Sequence, residues 1–357
     1  MRRYWQKKPL LIRQAVPGMQ PMLSRQQLFA LAESEEVESR LVIQNAATGE
    51  WRLKSGPMGR RSFPRLSQSH WTLLVQGVDL HDDRVAQLRD QFRFIPDARL
   101  DDVMISYATD QGGVGPHFDS YDVFLLQVQG QRRWRISQQH DLSLRDDTPL
   151  KVLQHFKPEE SWVLNPGDML YLPPHCAHEG VALGECMTYS IGFKAETPQA
   201  LAQQLLPRLA DTDTTNVSAR YRDHKQSSTE HPACIPEQLQ VFAQQAIEKA
   251  VQQKYAVDIA LGEWLSEPKA HVWFDSQHSS DLKAGVVLDR KTKMLYDQRC
   301  IYINGESWHC AGADARTLRV LADKRLLNNQ QIQRCSESLV ELLREWMKAG
   351  WLHALNS

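Results

Sequence analysis

The spacing of apolar residues changes along the chain. Between residues 100 and 194 the apolar residues come in short runs broken by turn residues, and no helical repeat interrupts them. The runs at 103–108, 123–128, 132–136, 161–164, 168–172 and 187–193 predict strands. Turns are predicted at Gln129-Gly130 and at Asn165-Pro166-Gly167-Asp168, where Pro-Gly suits the centre of a type II turn and Gly167 takes the positive φ. Many short strands at this rate predict an antiparallel barrel or jelly roll. Inward residues alternate along such strands, so distant segments can converge on one cavity.

Helical spacing appears on both sides. Ser24 and Gln27 stand at capping-box spacing before Leu28, Phe29 and Leu31, which starts a short helix. Asp82 to Phe94 is predicted helical, and Trp71–Gly77 a strand. Thr197-Pro198 places a cap before a proline at the first helical position, with Leu201, Leu205 and Leu206 as its stripe. The polar stretch 211–235 predicts a connector. Leu239, Phe242, Ala246, Ala250 and Val251 mark another amphipathic helix. From about 270 the chain predicts a small α+β unit. It has a strand pair over Thr292–Asn304 ending at Asn304-Gly305, helices over Ala315–Leu327 and Glu337–Lys348, and a C-cap at Gly350.

The 357 residues are 24% charged and 42% apolar, a globular mix long enough for two or three domains. Forty-two basic residues against 43 acidic ones give a net charge of −1. That balance argues against a nucleic-acid coat, so no direct nucleic-acid binding is expected. No apolar run reaches membrane-spanning length, and the start lacks a signal peptide's apolar region. The six cysteines are scattered without a Cys-x-x-Cys pair, as reduced thiols of a cytoplasmic protein would be.

Candidate chemistry centres on Gly115-Pro-His117-Phe-Asp119. On an extended backbone His117 and Asp119 point to one side and can share a cation. His178, 61 residues later, supplies a third ligand from a second strand. His175 competes with it, but Pro173-Pro174 break the chain just before His175. Cys176 is conceivable as a sulfur ligand, though a buried filler suits it better. Two imidazoles and one carboxylate leave an open side, as in non-haem Fe(II) oxygenases, though such a triad also serves catalytic zinc. Arg132 shares a face with Trp134 and Ile136, while Arg133 and Arg135 share the other. A guanidinium pointing into an apolar barrel needs an anion. Arg132 is therefore the candidate clamp for a dicarboxylate such as 2-oxoglutarate, with Ser106 on the facing strand adding a hydroxyl.

At these residues the sequence resembles the JmjC-type, 2-oxoglutarate-dependent ribosomal oxygenases of the bacterial branch. Tyr4-Trp5-Gln6-Lys7-Lys8-Pro9-Leu10, Ser39-Arg40-Leu41, Gly115–Phe124, Arg133-Trp134-Arg135 and Pro166–Pro174 carry the likeness. The resemblance implies a mixed α and β chain in three parts. These are a double-stranded β-helix (cupin or jelly-roll JmjC) oxygenase domain at 1–195, a helical dimerisation region at 196–268, and a winged-helix-like domain at 269–357. It implies Fe(II) on His117, Asp119 and His178, and 2-oxoglutarate on Arg132. It places Asp102, Met104, Tyr121 and Ser190 around a substrate arginine. In loop 109–113, Asp110 and Gln111 depart from the smaller residues common in the family. The implied reaction hydroxylates an arginine of a large-subunit ribosomal protein, with release of succinate and CO2, and the resemblance implies a homodimer. An N-methyl demethylase and a non-catalytic cupin binding module with a winged-helix tail stand as alternatives.

Overall fold

The computed structural model describes residues 1–211, 220–224, 227–276 and 282–355. The chain divides into two compact units, Met1–Ala195 and Glu196–Ser357.

The first unit contains β1 (Leu10–Ile12), α1 (Arg25–Ala32), β2 (Ser39–Gln44), β3 (Trp51–Ser55), β4 (Trp71–Val75), α2 (Asp83–Asp90), β5 (Leu100–Ala108), β6 (Asp122–Ser137), β7 (Glu160–Leu164), β8 (Met169–Leu172) and β9 (Ala177–Phe193). The nine strands form one antiparallel sheet in the order β1-β8-β6-β9-β5-β4-β2-β3, with β7 paired to β6. Strands β6 and β9 pair along nearly their whole lengths. The first half of β6 also pairs with β8 and its second half with β7. This long ribbon is the spine of the unit.

The predicted turn at Gln129-Gly130 is overturned. The two strands expected at 123–128 and 132–136 are one strand, β6, and Gly130 lies inside it at φ +63°. The β6–β9 register shifts between Gln127 and Gln129 and again between Gln129 and Gln131, so a bulge stands where a turn was expected. A Cβ on residue 130 would lie 2.1 Å from the Glu185 carbonyl oxygen, which leaves room for glycine alone. Likewise the strand expected at 187–193 is the end of β9, which begins at Ala177.

Other expectations hold. Ser24 caps α1 in a full capping box, and Asp82 caps α2. Gly167 takes φ +92°. The principal core packs Leu28, Trp71, Tyr107, Tyr189 and Phe193 between α1, α2 and the sheet. Trp5, in the segment before β1, stacks on Tyr171 at 5.6 Å and meets Phe193 edge-on at 5.4 Å.

The second unit contains α3 (Pro198–Asp211), α4 (Glu237–Gln252), α5 (Ala256–Ser266), β10 (Gly285–Leu288), β11 (Met294–Tyr296), β12 (Cys300–Ile303), β13 (Glu306–His309), α6 (Gly312–Lys324), β14 (Leu326–Asn328), α7 (Asn329–Ile332), α8 (Glu337–Lys348) and β15 (Leu352–Ala354). Strands β11, β12 and β13 form one antiparallel sheet, and β14, β10 and β15 another. Asn304-Gly305 turns β12 into β13, so the strand pair expected before it gains a third strand after it. Helices α6 and α8 bury Leu318, Leu321, Leu343 and Trp346 against these strands. No residue of α4 is buried, and Leu239, Val241, Phe242, Ile247 and Val251 are exposed. The connector expected at 211–235 lies partly outside the described residues. No helix among the described residues is long and apolar enough to cross a membrane.

Candidate active site

His117 and His178 face each other across an isolated antiparallel bridge. The peptide N of each donates to the carbonyl of the other, at 2.9 and 2.8 Å. This places the two rings side by side, with centroids 4.2 Å apart. Each Nδ1 lies 2.9 Å from a backbone carbonyl, that of Gly115 for His117 and that of Cys176 for His178. A carbonyl only accepts, so both Nδ1 atoms carry the proton and both Nε2 lone pairs are left for a metal. The Asp119 carboxylate lies 3.7 Å from His178 Nε2. One ligand atom from each of the three residues falls within 4.8 Å of the others. Burial, and then the neighbouring His117, push the His178 pKa down to about 4. His178 is therefore neutral at ordinary pH, the form a ligand requires.

The competing residues point elsewhere. His175 is exposed at φ +62°, its ring 5.8 Å from that of Phe118. Cys176 is buried in the apolar cluster of Val123, Leu125, Trp134 and Ile136, and burial raises its thiol to about 12. It packs in the core, as a filler would.

A cavity runs from this trio to Arg132, lined also by Thr72, Met104, Ser106, Tyr121, Val123, Leu125, Trp134, Gly180 and Ser190. Arg132 is 5% exposed. Its Nη1 donates to Ser106 Oγ at 3.1 Å and to Thr188 Oγ1 at 3.4 Å, and its guanidinium lies 5.5 Å from the Trp134 ring. Its Nε has no hydrogen-bond partner, and among the described residues no carboxylate forms an ion pair with it. A buried cation satisfied by hydroxyls alone leaves its charge without a counter-charge, which suits it to meet an anion. Ser106 turns its own proton toward the Thr188 carbonyl at 3.3 Å, which leaves its lone pairs for Arg132. Arg133 is exposed, and Arg135 pairs with Glu179.

Of the four residues that the family likeness placed around a substrate side chain, Met104, Tyr121 and Ser190 line the cavity. Ser190 stands opposite both Met104 and Leu125. Asp102 does not line it. The β5–β9 register breaks between Leu100 and Val103, and Asp102 Oδ2 accepts from the Gly77 peptide N at 3.0 Å. Its charge still reaches the cavity mouth. Partial burial, and then the carboxylates of Asp119, Asp102 and Asp101, push the Tyr121 pKa upward. Sequence reasoning missed Thr188 and Gly180. Their signal lies in cross-strand pairing: Thr188 opposes Ser106, and Gly180 opposes Trp134, whose ring would sit 2.7 Å from any Cβ there.

Comparison with known proteins agrees with this geometry. Residues 87–201 match the model of the JmjC domain, and residues 249–353 match that of a ROXA-like winged helix. The chain is 40% identical over 204 residues to the ribosomal protein uL16 3-hydroxylase of Escherichia coli (strain K12), covering 56% of this chain and 53% of that protein. It is 37% identical over 207 residues to a probable ribosomal oxygenase of Haemophilus influenzae, covering 54% and 48%. These alignments span about half the length of the curated relatives. A solved structure of E. coli YcfD superposes with a TM-score of 0.85 at 28% identity, covering 99% of this chain and 96% of that one. The same protein in complex with cobalt and 2-oxoglutarate superposes with a TM-score of 0.82 at 27% identity and the same coverage. The chain thus carries a JmjC domain at residues 87–201 and a ROXA-like winged helix at residues 249–353, and is similar over its whole length to a solved ribosomal oxygenase.

Proposed function

We propose that this chain is a 2-oxoglutarate- and Fe(II)-dependent oxygenase that hydroxylates an arginine side chain of a large-subunit ribosomal protein. The observation that carries the reading is one cavity with a His-Asp-His trio at one end and an unpaired buried guanidinium at the other. The donor set fits a divalent iron with open positions, since two imidazoles and one carboxylate converge from one side. Bound there, iron supplies the activation of dioxygen that is coupled to oxidation of the 2-oxo acid. His117, Asp119 and His178 hold it, and the two Nδ1 hydrogen bonds fix the ring orientations. Arg132 orients the far carboxylate of the co-substrate. Its planar fork suits a carboxylate better than a lysine would. Apolar Val123, Leu125 and Trp134 keep water from the space between.

A cationic substrate side chain suits the mouth. Asp101, Asp102 and Asp119 all act on the half-exposed Tyr121, so an arriving guanidinium meets negative charge and an aromatic face together. The relative named as a uL16 3-hydroxylase supports a ribosomal substrate. The exposed apolar residues of α4 support a homodimer formed through that helix.

The test is turnover. Purified protein with Fe(II), 2-oxoglutarate and ribosomal protein uL16 is expected to add the mass of one oxygen to an arginine peptide, and His178→Ala is expected to add none. Absence of a mass shift on any ribosomal peptide would overturn the substrate assignment. Formaldehyde release without retained oxygen would point to a demethylase.

A further inference from the structure

The anion clamp depends on an irregularity in β6. Early in that strand the cavity is lined by odd-numbered residues, Val123 and Leu125. Later it is lined by even-numbered ones, Arg132 and Trp134. Strand β9 shows no such change, because Ser190, Gly180 and His178 line the cavity with one parity throughout. In a regular strand side chains alternate faces, so a one-residue offset sends every later side chain to the opposite face. The bulge between Gln127 and Gln131 supplies that offset. In an unbulged β6, Arg132 and Trp134 would face away and Arg133 would face the cavity.

Gln127 secures the bulge. It is fully buried, and its Nε2 donates to the carbonyls of Gln129 at 2.8 Å and Gly130 at 3.3 Å. Its Oε1 accepts from the fully buried Thr188 hydroxyl at 2.9 Å. That bond commits the Thr188 proton to Gln127, so the Thr188 lone pairs face Arg132 Nη1. The backbone of Gln127 is tied to the Pro166–Asp168 turn, its N donating to the Asp168 carbonyl and its carbonyl accepting from Gly167 N, both at 2.9 Å. We propose that Gln127 and Thr188 are positioning residues for the co-substrate: together they hold the bulge that turns Arg132 into the cavity and fix the aim of its guanidinium. This inference rests on the reading of Arg132 as the co-substrate clamp.

The test measures anaerobic binding to Mn(II)-loaded protein by calorimetry, with two ligands. 2-Oxoglutarate engages both ends of the cavity. 2-Oxobutanoate has the same metal-binding head and no far carboxylate. Thr188→Val and Gln127→Leu are each expected to weaken 2-oxoglutarate roughly tenfold, the scale of a misaligned charge-assisted hydrogen bond, and to leave 2-oxobutanoate unchanged. Thr188→Ser, which keeps the hydroxyl, is expected to bind like wild type. If Gln127→Leu fails to fold, Thr188→Val decides. Equal weakening of both ligands, or of neither, overturns the positioning role. If wild type itself does not prefer 2-oxoglutarate over 2-oxobutanoate, or Arg132→Met keeps the preference, the reading of the clamp fails instead.

Discussion

Strand β6 buries two charges ten positions apart, and the two are treated in opposite ways. Asp122, at its start, is fully buried and answered from several directions. Tyr171 Oη donates to one carboxylate oxygen at 2.6 Å, and Gln6 Nε2 and Arg99 Nη2 approach the other at 3.0 and 3.3 Å. Arg132 is almost as deep and meets two hydroxyls but no carboxylate. The first charge ties the segment before β1 to the barrel. The second is incompletely satisfied by the protein, as a group awaiting a ligand is. Depth alone does not separate structural charges from functional ones; the completeness of their partners does.

The largest expected effect tests the structural side. Asp122→Asn breaks a buried ion pair and leaves donors facing a neutral amide, and is expected to cost about 3–5 kcal/mol in denaturant unfolding. Affinity for 2-oxoglutarate, measured on the folded fraction, is expected to hold. Arg132→Met should invert this pattern. It is expected to lose about a hundredfold in 2-oxoglutarate affinity, as for a lost bidentate charge-assisted pair, with no loss of ligand-free stability. A large drop in stability for Arg132→Met would erase the contrast between the two charges.

The metal end sharpens the comparison through pH. The folded-state pKa of His178 lies near 4, below its ordinary 6.5. Between these values the unfolded chain takes up a proton that the folded chain refuses, so metal-free protein loses stability as pH falls from 6.5 to 4. The size is roughly 3 kcal/mol from the shift. Denaturant midpoints of chelator-treated wild type and His178→Gln across that window check it, and parallel curves would refute it. The smallest effect concerns the wall beside the clamp. Gly180→Ala places a methyl 2.7 Å from the Trp134 ring and is expected to cost about 1–3 kcal/mol. Trp134→Phe in the same chain should recover part of that loss.

The residues themselves determined the metal trio and much of the local structure. His117 and Asp119 are two apart, the Ser24 box and the Pro166–Asp168 turn are local patterns, and Glu337–Lys348 is a helix as its spacing predicts. Short-range chemistry is written in short-range sequence. The Pro173-Pro174 break already favoured His178 over His175, and the folded sheet supplied the reason its ring turns inward, the backbone pairing with His117. Only the folded sheet decided the course of β6. Gln129-Gly130 has the composition of a turn, and nothing local reveals that β9 continues opposite it and makes it a bulge. That bulge decides which face Arg132 takes, and it arises from pairing between segments about fifty to sixty residues apart, which no local window of sequence contains.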